Sequence, residues 1–363
     1  MAIPDNLIAA KRAVSGHLLR AGLRAGVTST RPSAHVAAAT ANAGHNVHAV
    51  GVGPKVVAGR ATSTPCVRIY VVQKLAAQLL PPRDRLPERI DGVPTDVIES
   101  APAFALARTA TKKRPQRKRK TAKTLRQTDC SDSRQRRQRP IVPGVSVAHE
   151  DVTAGTLTCL CRSTAPGDDP DDLFALSNNH VFADTNAGLI GDDLLQPGPA
   201  DGGSIADRFA TLHRYIDIID DGITANRVDA AIGRLLPAVD TDETVCTIGR
   251  IDGTARGEIG MAVRKHGRTT GLTEGVVTDE ALDVLVGLDP FDQRAVALFE
   301  DQMRIDVTAG FPAFGLGGDS GSLVAMQAEP RAVGLFFAGP PGGLYGIANQ
   351  IDDVENELEI AVV

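Results

Sequence analysis

From residue 141 to about 357 the chain is cut into short apolar runs by glycine, aspartate and proline. The runs read "GVSVA", "GTLTCLC", "LFALSNNHVF", "VDAAIGRLL", "GMAVRKHG", "TEGVVTDE", "QMRIDV", "GSLVAM", "AVGLFFAG" and "YGIANQI". Strands recurring at such short intervals predict a sandwich or barrels. "DDVENELEI" near the end reads as a helix, and no solenoid period is visible. Trp is absent and aromatics make up 4 %, so the cores must be built from Val, Leu, Ile and Ala. No apolar run reaches the length of a membrane span.

The 363 residues allow two or three domains. Residues 1–40 form a helical or flexible segment, in which Leu7, Ile8, Val14, Leu18 and Leu19 recur at helical spacing among basic residues. Residues 41–105 read as a small α/β domain: "NVHAVGVGPKVV" and "CVRIYVV" as strands, "QKLAAQLL" as a short helix, and "VPTDVIES" as a last strand. Residues 106–140 read as a disordered basic linker. Its stretch 112–140 holds 13 Lys/Arg against two Asp, in a chain whose net charge is −5. Such a run cannot build a core. Its partner expectation is a polyanion or nucleic acid, bound without sequence preference through 112–139. Residues 141–363 form the β-rich domain. Self-association is a further expectation, and no membrane contact is foreseen.

Five cysteines, Cys66, Cys130, Cys159, Cys161 and Cys246, fit no zinc or disulfide framework by spacing. Cys159 and Cys161 read as small core residues. With a start that lacks signal-peptide layout, this argues for a reducing, cytoplasmic setting.

Serine-based acyl transfer needs a base, an orienting carboxylate and backbone donors for the oxyanion. The stretch "GLGGDSGSLV" (315–324) exposes Ser320 between glycines, with the Gly318 and Ser320 N–H groups as oxyanion donors. "FALSNNHVFAD" places His180 after an apolar strand, and "NRVDAAIGRLL" places Asp229 at the head of another. Asp217, Asp220 and Asp221 compete for the carboxylate role but lie in a polar loop. His213 reads as a loop residue and His266 as a solvent-facing turn residue.

With these islands in the order His, Asp, Ser, residues 141–357 resemble the trypsin/chymotrypsin-like serine peptidases. The hairpin "VRKHGRTTGLTEGVV" (263–277) is similar to that of the streptogrisin/α-lytic group. The layout, with "VGVG.KVV" upstream, looks like that of intracellular narrow leaf 1-like peptidases. The resemblance implies a mainly β, two-barrel domain behind the small α/β domain and the linker. It implies an intracellular serine endopeptidase with the triad His180, Asp229 and Ser320 and no metal or cofactor. Where secreted relatives carry cysteines beside the hairpin turn, this chain has Arg264 and Glu274, expected as a cross-strand ion pair. Lys265 matches the cation that holds the aspartate before the nucleophile, here Asp319. The substrate pocket falls at Phe314, Phe337 and Gly339, without an acidic base, which implies an apolar or small preference. Two other readings stand beside this one: a catalytically silent protease-fold scaffold or binding protein, and a nucleic-acid-associated protein acting through its basic linker.

Overall fold

The computed structural model describes residues 3–20, 46–80, 85–105, 130–289 and 295–363. The chain begins with helix α1 (Asp5–Ser15) and a further turn, Gly16–Arg20. Strands β1 (Val47–Val57), β2 (Arg60–Val71), β3 (Arg89–Ile90), β4 (Val93–Glu99) and β5 (Ala103–Ala105) follow. A one-turn helix α2 (Cys130–Ser133) leads into β6 (Ser146–His149), β7 (Gly155–Thr156), β8 (Leu160–Ser163) and β9 (Phe174–Ser177). The single turn α3 (Asn179–Phe182) precedes β10 (Asp193–Leu195), β11 (Arg208–Tyr215), β12 (Asp221–Asn226) and β13 (Ala231–Leu235). Then come β14 (Ala262–Gly267), β15 (Gly271–Gly287), β16 (Val296–Val307), β17 (Leu323–Met326), β18 (Ala332–Gly339) and β19 (Tyr345–Gln350). Helix α4 (Ile351–Leu358) and β20 (Ile360–Val362) end the chain.

Two closed barrels result, as a mainly β, two-barrel chain requires. In the second, β14 pairs with β15, β15 with β16, β16 with β19, β19 with β18, β18 with β17, and β17 with β14 again. In the first, β6, β10, β11, β13 and β9 pair in that order. The run 155–163 closes the ring, because it pairs with β6 at its start and with β9 at its end. Closure removes the open edges that short strands would otherwise present. Between the barrels, Ile351, Val354 and Leu358 of α4 join Cys159, Phe174, Leu323 and Leu335 in one core.

The amino-terminal strands are joined to the second barrel. β1 pairs with β15 (Ala49↔Val284), so β1, β2 and β4 extend the sheet of the second barrel. Burial along β15 records this. Residues 271–280 alternate between inward and outward positions, as a strand with one covered face should, whereas 281–284 are buried on both faces. Helix α1 supplies the cover, burying Leu7, Ala10 and Val14 against Val50, Val52, Ala281 and Leu298. At spacings of three and four these residues form one helical stripe, and burying one such large apolar side chain contributes about 1.5–3 kcal/mol. Lys11, also buried, pairs with Asp283 and lies 3.3 Å from Asp301. The segment "QKLAAQLL", expected as a helix, makes only a 3₁₀ turn at Ala77–Leu79, with Leu79 exposed and unpacked.

Three further expectations are corrected. Cys130 and Cys246 form a disulfide with Cα atoms 5.9 Å apart, so cysteine usage does not support a reducing compartment. Cys66, Cys159 and Cys161 are free and buried. The end of the expected linker is folded: Arg134 donates to the Ser131, Arg268 and Thr269 carbonyls, Arg137 pairs with Asp207, and Arg139 donates to Gln196. The rest of the basic run, 106–129, lies outside the described residues. Finally, Arg264 and Glu274 are direct cross-strand partners, yet among the described residues no ion pair joins them. The Arg264 guanidinium donates instead to the Ile248 carbonyl. No helix among the described residues is long and apolar enough to cross a membrane.

Candidate active site

β9 delivers the chain to Asn178, and α3 turns it so that His180 lies 4 % exposed between the barrels. Asp229, wholly buried just ahead of β13, accepts from the His180 backbone N–H at 3.2 Å and pairs with His180 Nδ1. Asn178 Nδ2 donates to the Asp229 carbonyl at 2.8 Å, and the Asp229 N–H donates to Asn349 Oδ1 at 3.1 Å. Asn349 is in turn held by Gln302 at 2.7 Å. The backbone of Asp229 is therefore held from both barrels, while its carboxylate meets His180. His180 Nε2 is buried and has no hydrogen-bond partner among the described residues.

Ser320 comes from the second barrel, on the turn before β17, and is also buried. Its carbonyl accepts from Thr156 N at 2.7 Å, and Thr156 Oγ1 donates to the Gly318 carbonyl at 2.9 Å. Gly318 and Gly321 have φ of +94° and +92°, a region that disfavours side chains. A Cβ on Gly321 would fall 2.1 Å from the Thr156 carbonyl oxygen and 2.4 Å from Ser177 Oγ. The Ser320 turn thus sits directly on the end of β9, three residues before His180. A Cβ on Gly155 would meet both Val181, next to His180, and the Ser320 carbonyl. The two candidates are brought to one inter-barrel seam. The hydrogen bond between them is not formed: Ser320 Oγ donates to the Phe337 carbonyl at 3.4 Å. Among the described residues, the Gly318 and Ser320 N–H groups donate to no protein acceptor.

Asp319 accepts from Thr269 N (2.8 Å), Thr270 N (3.0 Å), Leu316 N (2.9 Å) and Thr270 Oγ1 (2.8 Å). Lys265 Nζ lies 3.5 Å from the same carboxylate, both side chains being wholly buried. Lys265 also donates to Thr270 Oγ1 at 2.7 Å and lies 5.8 and 5.9 Å from the Phe314 and Phe336 ring centres. Burial pushes the Lys265 ammonium below its ordinary pKa, and the Asp319 charge opposes that shift.

The residues assigned to the pocket separate. Phe314 fills the core of the second barrel, packed on Phe336 with ring centres 5.9 Å apart. Phe337 packs on Phe299 at 4.8 Å while its carbonyl faces Ser320 Oγ. Gly339 is paired with Phe104 of β5. His266, expected at the surface, is wholly buried in β14. His213 lies in β11 rather than in a loop, 2.9 Å from Asp168. Asp221 caps its own turn through Ile223 N, Thr224 N and Thr224 Oγ1. Sequence reasoning missed Thr156, Asn349, Thr269 and Thr270. The Thr-Thr pair was readable in the hairpin motif, whereas Thr156 and Asn349 act across distant parts of the chain.

Comparison with protein-family models and with curated proteins gives no match. Solved structures that resemble the chain include several proteases of the trypsin/chymotrypsin-like serine type. Protease A of Thermobifida fusca is 16 % identical, with a TM-score of 0.42, over 61 % of this chain and 98 % of its own. A glutamic acid specific serine protease is 18 % identical, with a TM-score of 0.44, over 61 % of this chain and 100 % of its own. The chymotrypsin of Cellulomonas bogoriensis is 16 % identical, with a TM-score of 0.40, over 61 % and 98 %.

Proposed function

We propose that the chain is a serine endopeptidase acting through an acyl-enzyme. The observation that carries this reading is the buried His180–Asp229 pair with Nε2 left without a partner. An unsatisfied buried polar atom costs about 1–3 kcal/mol, and here that atom is the free ring nitrogen of a histidine whose other nitrogen is held by a buried carboxylate. In the proposed reaction Ser320 Oγ attacks the peptide carbonyl carbon and its proton passes to His180 Nε2. Asp229 holds the imidazole by Nδ1 and stabilises the imidazolium. The Gly318 and Ser320 N–H groups, uncommitted among the described residues, take the oxyanion. His180 then protonates the leaving amine, and water releases the acyl group by the same steps. Lys265 and the threonine donors fix Asp319, and through it the turn that aims those N–H groups. The Phe336–Gly339 stretch carries no acidic side chain, which favours a substrate with an apolar or small residue before the scissile bond.

A second reading, a silent protease-fold scaffold, has one observation in its favour: Ser320 Oγ bonds to Phe337 rather than to His180. Catalytic contacts are often long in ligand-free enzymes and tighten with substrate, so the enzymatic reading is preferred. The narrow leaf 1-like layout, and polyanion contact through the basic run, belong to the same proposal. Digestion of a peptide library by wild type and Ser320→Ala tests it. Cleavage by wild type alone, clustered after apolar or small residues, is expected, and equal digests from both proteins would refute catalysis. Nucleic-acid binding that weakens steeply with salt would support the polyanion role.

A further inference from the structure

Strand β5 ends the amino-terminal module on the second barrel. It pairs in parallel with β15 (Val286↔Ala103, Gly287↔Phe104) and antiparallel with the end of β18 (Gly339↔Phe104, Ala338↔Ala105). Ala338 is paired on its other side with Ile347 of β19. β5 therefore occupies the edge of β18 that β17, whose pairing ends at Leu335, leaves open. The residue before Ala338 is Phe337, whose carbonyl accepts Ser320 Oγ. Read from amino to carboxyl end, β5 runs along this edge toward the nucleophile, and its pair Ala105↔Ala338 lies one register position from Phe337.

The strand is well anchored. Ser100 N donates to the Val71 carbonyl, the His48 ring meets the Ser100 carbonyl at 3.0 Å, and Tyr345 Oη donates to the Ala101 carbonyl. Ala103 and Ala105 are 1 % and 4 % exposed. The Phe104 ring lies over Gly287, where a Cβ would come within 2.6 Å of it. This is the strand edge next to Ser320, and a strand edge recognises an extended peptide through its main chain.

We propose that Ala103–Ala105 fills, in cis, the peptide-binding edge of the site, so that a substrate must displace it. The occupant also indicates what the edge accepts: an extended peptide with an aromatic residue in the Phe104 register, two positions before the residue whose carbonyl is attacked. This rests on the reading of Ser320 as nucleophile. A tethered strand competes at an effective concentration in the millimolar range. It therefore raises KM for extended peptides and leaves kcat and the reactivity of Ser320 toward small reagents unaffected.

The test compares full-length wild type with Phe104→Gly and Ala105→Pro. The second variant removes an N–H and places a proline ring in the paired strand. One arm follows labelling by a small fluorophosphonate. The other follows hydrolysis of blocked Ala-Phe-Ala-Leu and Ala-Ala-Ala-Leu anilides. Labelling at least as fast in both variants as in wild type is expected. KM for the tetrapeptides should fall about tenfold, with kcat within twofold, and the Phe peptide should bind better than the Ala peptide. Labelled proteins with one common KM would overturn the proposal. Absence of labelling in all three would overturn the catalytic reading and this inference with it. Should either variant lose its cooperative melt, amide exchange on wild type decides: adding Ala-Phe-Ala-leucinal should deprotect residues 100–105. Unchanged protection of that segment in the inhibited protein would overturn the proposal.

Discussion

A carboxylate with no solvent contact is stable only when its charge and lone pairs are met. Asp229 is met by the His180 N–H and ring, with its backbone fixed through Asn178 and Asn349. Asp229→Asn keeps the shape but presents an N–H to Nδ1 and selects the wrong tautomer; kcat should fall about 10⁴-fold, read from steady-state hydrolysis at neutral pH. Among the described residues Asp319 is paired with one cation, Lys265. Lys265→Met leaves four hydrogen bonds in place but strands a buried charge, and should cost about 3–5 kcal/mol in denaturant unfolding, together with the loss of turnover. A variant as stable and active as wild type would remove Lys265 from the account. Ser320, His180 and Asp229 were legible because each has a local signature, a glycine-rich turn or the end of an apolar strand. Thr156 and Asn349 were not, since their roles exist only once the two barrels meet. Phe314 misled because a phenylalanine next to a glycine turn reads equally well as pocket wall or as core.

At the scale of elements, the long β15–β16 hairpin decides how the molecule is assembled. Its far half offers an edge and a face, and β1 takes the edge while α1 covers the face. Alternating polarity made these strands visible in the sequence, but which sheet β1 joins has no local signature. The "QKLAAQLL" helix failed for a physical reason: followed directly by two prolines and with Leu79 exposed, one short helix cannot hold itself. Two buried groups titrate in this region with opposite effect. Burial lowers His48 to about 4, so its stabilising contribution is complete above pH 6.5 and is lost as pH falls through that window. Burial raises Asp279, held by Val52 N and Tyr70 Oη, to about 6; its contribution is complete below pH 3.8 and is lost as pH rises through 6. The two largely offset each other in wild type. Asp279→Asn leaves His48 alone, so its stability relative to wild type should rise by about 3 kcal/mol between pH 4 and 7. A difference that stays flat in urea titrations across this range would contradict the assignment.

For the whole molecule, the consequence is unity. The amino-terminal strands share a sheet with the second barrel, α4 joins both barrels in one core, and Cys130–Cys246 ties the segment before the first barrel to the loop before β14. In the chain-entropy picture, closing a loop of 116 residues contributes about 4–5 kcal/mol. Calorimetry should show one unfolding transition for the oxidised chain, and a separate early melt of the module would contradict this. The sequence suggested independent units because its composition changes sharply at the basic run, and composition carries no information on which sheets merge. The site depends on this assembly, since one barrel brings His180 and Asp229 and the other brings Ser320. The most direct test of that convergence is the intact mass of wild type and Ser320→Ala after exposure to a fluorophosphonate. One adduct, mapped to Ser320 and absent from the variant, is expected; an unmodified wild type, or equal modification of both proteins, would contradict it.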